Sequence, residues 1–186
     1  GTQKKTFRIK RLVSVNMQHT ISSLRERWDQ LKAEQPHLRI RNAAQKLGVS
    51  EVELLATQCG ENVTRLKPKF RTILTEVPKL GNVMALSRNE EVVHERKGEY
   101  LNPALKHAHV GLFVGEDIDL RIFFQVWSSA FAVKQNYVQN NKEMERLSLQ
   151  FFSTTGQALH KIYLTPKSNK VAYRQLVNKF KDEDQA

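Results

Sequence analysis

From Val83 to Thr165 the chain runs through short clusters of Val, Ile, Leu and Phe, each closed by turn-forming residues. That texture limits the fold more than any other feature. Apolar runs of roughly four to eight residues bounded by Gly, Asn, Ser or Pro read as strands. Predicted strands cover 83–88, 91–97, 109–114, 118–127, 129–137, 146–153 and 158–164. Connections such as Ser153–Gln157 (STTGQ) suit hairpins and are too short for the crossover that parallel pairing needs. The sheet should therefore be mostly antiparallel.

Helices flank this region. From Thr20, TISSLRERWDQLKAEQ places Leu24, Trp28 and Leu31 at helical spacing, with Thr20 as N-cap and Pro36 as the stop. Residues 39–60 (RIRNAAQKLGVSEVELLATQCG) read as helix, tight turn, helix. Gly48 ends the first piece; Ser50 caps the second, with Glu53 at the capping-box position. KFRTILTEVPKLG predicts a further helix ending near Pro78 and Gly81, and a last helix spans about 168–181. Helices, then strands, then a helix predict an α+β fold: N-terminal helices, a large mostly antiparallel β-sheet and a C-terminal helix. Residues 1–19 read as a basic tail, flexible or left over from expression, and 20–186 as one domain.

Net charge is +11, and five basic residues with no acid fall in the first eleven positions. Such a balance favours anionic partners: nucleic acid, phosphates, carboxylates or a membrane surface; a plain solvated surface is the alternative. No apolar run approaches the roughly 18 residues of a membrane span, and the start lacks a secretory h-region. The single cysteine, Cys59, excludes an internal disulfide and fits a reducing, cytoplasmic setting. Nucleophile elbows, P-loops, dinucleotide fingerprints and HExxH are absent, which leaves hydrolase and kinase chemistry unsupported.

In DIDLRIFFQVW, strand alternation puts Leu120, Ile122, Phe124 and Val126 on a core face. Asp119, Arg121, Phe123, Gln125 and Trp127 take the other face. A guanidinium beside two large aromatics suits a flat apolar ligand with anionic groups. A covering helix, with Arg121 paired to an acid, explains the same pattern. Of the six histidines, His107 and His109 form an HxH pair with no evident third ligand, and His160 shares a strand face with Ala158, Ile162 and Leu164. His94 lies on a half-polar face with Val92 and Arg96, where a solvated edge histidine is the simplest reading. The helix pair at 39–59 resembles a DNA-reading unit, yet its second helix carries Glu51 and Glu53 and no Arg or Lys. A helix facing phosphates needs the opposite charge, so nucleic acid is disfavoured as a partner.

Several stretches together resemble the first half of the HemS-type haem-handling proteins: SRNEEVVHE, HVGL, DLRIFFQVWSSAFAVK, SLQFFSTTGQALHKIYLT and the closing helix. LRERWDQLKAEQP and AQKLGVSEVELLA are similar to that family's opening helices. The resemblance implies a bacterial cytoplasmic protein of haem uptake and iron acquisition that binds and traffics haem. A haem-degrading, oxygenase-like activity is implied by the resemblance alone. It assigns Arg121 to the haem pocket and His94 as a candidate haem contact and iron ligand. Phe123 and Trp127 would wall the porphyrin. The family is usually a tandem of two such halves, which implies either a second copy or a homodimer as partner. The alternative function is a DNA-binding regulator using residues 39–59.

Overall fold

The computed structural model describes residues 23–89, 92–101, 103–105, 110–118 and 120–185. The chain divides into two compact units, one ending at Gln58 and one starting at Cys59.

The first unit is helical. Helix α1 (23–34) is followed by α2 (Ile40–Leu47) and α3 (Glu51–Ala56). Gly48 ends α2 with φ 70, in the left-handed region that a side chain would strain. The Ser50 hydroxyl accepts from the Glu53 amide at 3.3 Å and so starts α3, as the capping pattern predicts. Leu24, Trp28, Ala43, Ala44 and Leu54 form the small core of the three helices. Residues 39–59 thus form a packed helical hairpin.

The second unit is built on a six-stranded antiparallel sheet in the order β1-β6-β7-β8-β2-β3. Its strands are β1 (Val63–Leu66), β2 (Gly81–Asn89), β3 (Val92–Glu99), β6 (Trp127–Gln139), β7 (Lys142–Ser153) and β8 (Ala158–Ser168). A separate ribbon pairs β4 (Val110–Phe113) with β5 (Leu120–Phe123). Helices α4 (Phe70–Glu76) and α5 (Lys170–Phe180) join the main core. There Ile73, Leu74, Leu176 and Phe180 meet Leu149, Phe151 and Ile162 from the sheet. Asn169 caps α5 by accepting from the Ala172 amide at 3.0 Å. The Lys67 amide donates to the Phe180 carbonyl at 2.7 Å, tying the end of α5 to the chain between β1 and α4.

The predicted fold class holds, with local differences. Strand β1 was not predicted; four residues beside Lys67 and Pro68 give too short a pattern to stand out. The predicted helix through Pro78 tightens into a 3-10 turn over Val77–Leu80. Strands β6 (to Gln139) and β7 (from Lys142) run two and four residues closer to each other than predicted, to a two-residue turn at Asn140 and Asn141 with φ 52 and 62. Both are left-handed, the geometry a tight hairpin requires and asparagine tolerates. Most consequential, the predicted strand 118–127 is not continuous. It breaks into β5, a 3-10 turn at Phe124–Val126, and the start of β6 at Trp127.

Candidate functional site

That break decides which side chains can act together. Within β5 the alternation holds: Ile122 is buried, while Arg121 and Phe123 are exposed on the outward face. Phe123 keeps 54% of its surface accessible, so among the described residues of this unit no helix covers it. Among the described residues Arg121 has no acidic partner. Of the two readings of this face, the described residues supply neither a cover over Phe123 nor an acid for Arg121. Leu101, Val114 and Val126, in the segments next to β4 and β5, are also exposed, at 41%, 55% and 52%. An exposed aromatic ring next to a cation on one strand face is a candidate binding surface.

The period-2 extrapolation fails beyond Phe123. A 3-10 turn advances by three residues rather than two, so the sides reverse. Val126, expected in the core, is half exposed, and Trp127, expected beside Arg121 and Phe123, is 9% exposed. The Trp127 indole packs edge-on to Phe70 at 5.7 Å and Phe124 at 5.7 Å, and lies against Phe151 at 4.5 Å. It belongs to the core and cannot wall a ligand together with Phe123.

Trp127 also stacks on His160, with ring centroids 6.0 Å apart and planes 27° from parallel. His160 is 3% exposed. The Ser87 hydroxyl sits 2.7 Å from its Nδ1, and the Tyr100 hydroxyl is hydrogen-bonded to its Nε2. A neutral imidazole offers one donor and one acceptor, so either tautomer satisfies both hydroxyls. Burial holds the His160 pKa at about 4, against an ordinary 6.5, and pushes the Tyr100 phenol well up. The expectation of His160 as a core-edge residue is sharpened: it is fully enclosed and doubly hydrogen-bonded. Tyr100 also meets Phe113 edge-on at 4.9 Å, so this network fastens β4 to the main sheet. Tyr100 escaped sequence reasoning because it lies outside every predicted strand.

His94 pairs in register with Ser87, which in turn pairs with His160. The row across β3, β2 and β8 thus holds His94, Ser87 and His160. The side chain of His94 lies outside the described residues, as do His107, His109 and Asp119. Among the described residues no group of three or more His, Cys, Asp and Glu could hold a metal ion. No described helix is long and apolar enough to cross a membrane. In the first unit, α3 carries Glu51 and Glu53 in its first turn and no cation, as read from the sequence.

Residues 48–180 match the family described as the Haemin-degrading HemS.ChuX domain. The chain is 36% identical to the hemin transport protein HmuS of Yersinia pestis over 160 residues, 86% of this chain and 45% of that protein. Among solved structures it is similar to holo-PhuS, a heme-binding protein from Pseudomonas aeruginosa, with a TM-score of 0.82 and 38% identity. That alignment covers 89% of this chain and 47% of PhuS. It is similar also to the heme-degrading enzyme ChuS of Escherichia coli O157:H7, with a TM-score of 0.81 and 30% identity over 89% of this chain and 49% of that one. The chain thus spans about half the length of the relatives it matches. With the helices, antiparallel sheet and closing helix laid out as above, the chain belongs to the HemS.ChuX domain family.

Proposed function

We propose that this domain binds haem on the outward face of β5 and serves haem trafficking in iron acquisition. The observation that carries the reading is Arg121 and Phe123, exposed side by side on one face, with no acid among the described residues neutralising the guanidinium. Haem is a flat apolar disc with two carboxylates. Phe123 offers an apolar surface for the ring, and Arg121 offers a planar, permanently charged donor fork for a propionate. These residues fit the group. His94 is proposed as an iron contact, because a neutral imidazole is an ordinary haem ligand; the family resemblance supports it. Trp127 acts from the core, behind the ribbon, by holding the turn that follows Phe123.

HmuS is a hemin transport protein, PhuS a heme-binding protein and ChuS a heme-degrading enzyme, which supports haem as the cargo here. The cytoplasm is the proposed location. A second copy of the domain, in tandem or as a homodimer, is the proposed partner, since an open face binds a disc from one side only. Degradation is proposed as a property of the completed assembly rather than of this half. Haem supplies the redox chemistry when bound; the chain's residues bind and orient it.

The test is titration of the purified protein with hemin, followed at the Soret band, with light scattering before and after. A saturable shift at micromolar protein is expected. No saturable change would overturn the proposal.

A further inference from the structure

Between the start of α4 and the turn that follows β5 lies an open cavity of about 460 Å³ lined by Lys69, Phe70, Arg71, Phe124 and Gln125, among others. Small-molecule sites run from about 300 to 1,000 Å³, so the size is adequate. Phe124 faces away from Phe123. Its ring lies so close to Gly111 that a Cβ there would stand 2.8 Å from it, and Gly111 pairs with the inward-facing Ile122. The walls are held by packing: Phe70 meets Trp127 and Phe151 edge-on at 5.7 and 6.4 Å.

Two cations border this aromatic floor. The Arg71 guanidinium sits 5.0 Å over the Phe124 ring, and its Nε is buried without a hydrogen-bond partner. Among the described residues neither Arg71 nor Lys69 has an acidic partner. Elsewhere in this unit a comparable cluster is neutralised: Glu76 accepts from both Lys79, at 2.6 Å, and Lys179, at 3.1 Å. A pair of cations without counter-charges among the described residues, beside two aromatic rings and an open cavity, is arranged for an anion that also carries a flat ring.

We infer that this cavity is a second binding site, taking a planar aromatic ligand that bears a carboxylate or a phosphate. It shares no lining residue with the Arg121–Phe123 face. Phe70 and Phe124 contact the ring, and Arg71 and Lys69 hold the anion. The inference stands whether or not the outward face binds haem.

Two fluorescent probes test it: pyrene-1-carboxylate, a flat ring with a carboxylate, and flavin mononucleotide, a flat ring with a phosphate. Each is titrated into the full chain and into Lys69→Glu, Arg71→Ala and an Arg121→Ala/Phe123→Ala double variant. At least one probe saturates the wild type, and which one does identifies the anion. Lys69→Glu and Arg71→Ala each weaken it roughly tenfold or more, the loss expected for a charged hydrogen bond. The double variant leaves it unchanged. Lys69 is exposed, so its reversal spares the fold even if Arg71→Ala loosens Phe124. The inference is overturned if neither probe saturates the wild type. It is equally overturned if Lys69→Glu binds as the wild type does, or if only the double variant loses binding.

Discussion

The core around His160 and the outward face of β5 use the same materials, polar groups set among aromatic rings, in opposite conditions. At His160 both ring nitrogens have partners and the ring is covered: Ser87 and Tyr100 take the two imidazole nitrogens, and Trp127 stacks on the ring. On β5 the guanidinium of Arg121 lacks an acidic partner among the described residues, and Phe123 is half exposed. A satisfied polar cluster fixes structure; an unsatisfied one beside bare aromatic surface waits for a ligand. The two are joined through the ribbon, since Tyr100 packs on Phe113 of β4, and β4 pairs with β5.

The difference can be broken first at Trp127. Trp127→Ala empties a site ringed by Phe70, Phe124, Phe151 and His160, and should cost about 3–5 kcal/mol in denaturant unfolding. Phe123→Ala, on the exposed side, should change stability by no more than about 0.5 kcal/mol.

Acid should expose the cost of the buried imidazole next. In the folded protein its pKa is held at about 4, and unfolding returns it to about 6.5. The unfolded chain therefore takes up a proton in that interval that the folded chain does not. This contribution is fully present above about pH 6.5 and is lost as pH falls toward 4, roughly 3 kcal/mol in all. Urea melts at pH 7 and pH 4.5 measure it, with His160→Gln as control. An equal acid loss in that variant would mean His160 is not the source.

A smaller effect belongs to Tyr100→Phe, which keeps the ring against Phe113 and leaves the His160 Nε2 without its hydroxyl. An unmet buried polar atom costs about 1–3 kcal/mol, read in the same melts. If the latch also sets the ribbon, the variant should weaken hemin binding slightly under conditions where it is fully folded.

Much of this molecule was legible in the sequence. Strand positions, the Gly48 turn, the Ser50 cap and the α+β order follow from local patterns, and the structure repeats them. Arg121 and Phe123 share an outward face because β5 keeps strict alternation through Phe123. Reading failed at the next step. Phe124–Val126 contains no Gly or Pro to announce a 3-10 turn, so the alternation was carried onto Trp127 and placed it on the wrong side. The remaining gaps are non-local. Tyr100 and His160 are 60 residues apart, and Arg71 meets Phe124 from a different element; no spacing rule brings such pairs together.

The central claim is that the outward face of β5, and not the enclosed cluster behind it, holds haem. Hemin titration of Arg121→Ala/Phe123→Ala against the wild type, both checked for equal melting temperature, tests it most directly. The wild type should saturate at micromolar protein, and the double variant should bind roughly tenfold or more weakly. Equal Soret titrations for the two proteins would contradict it.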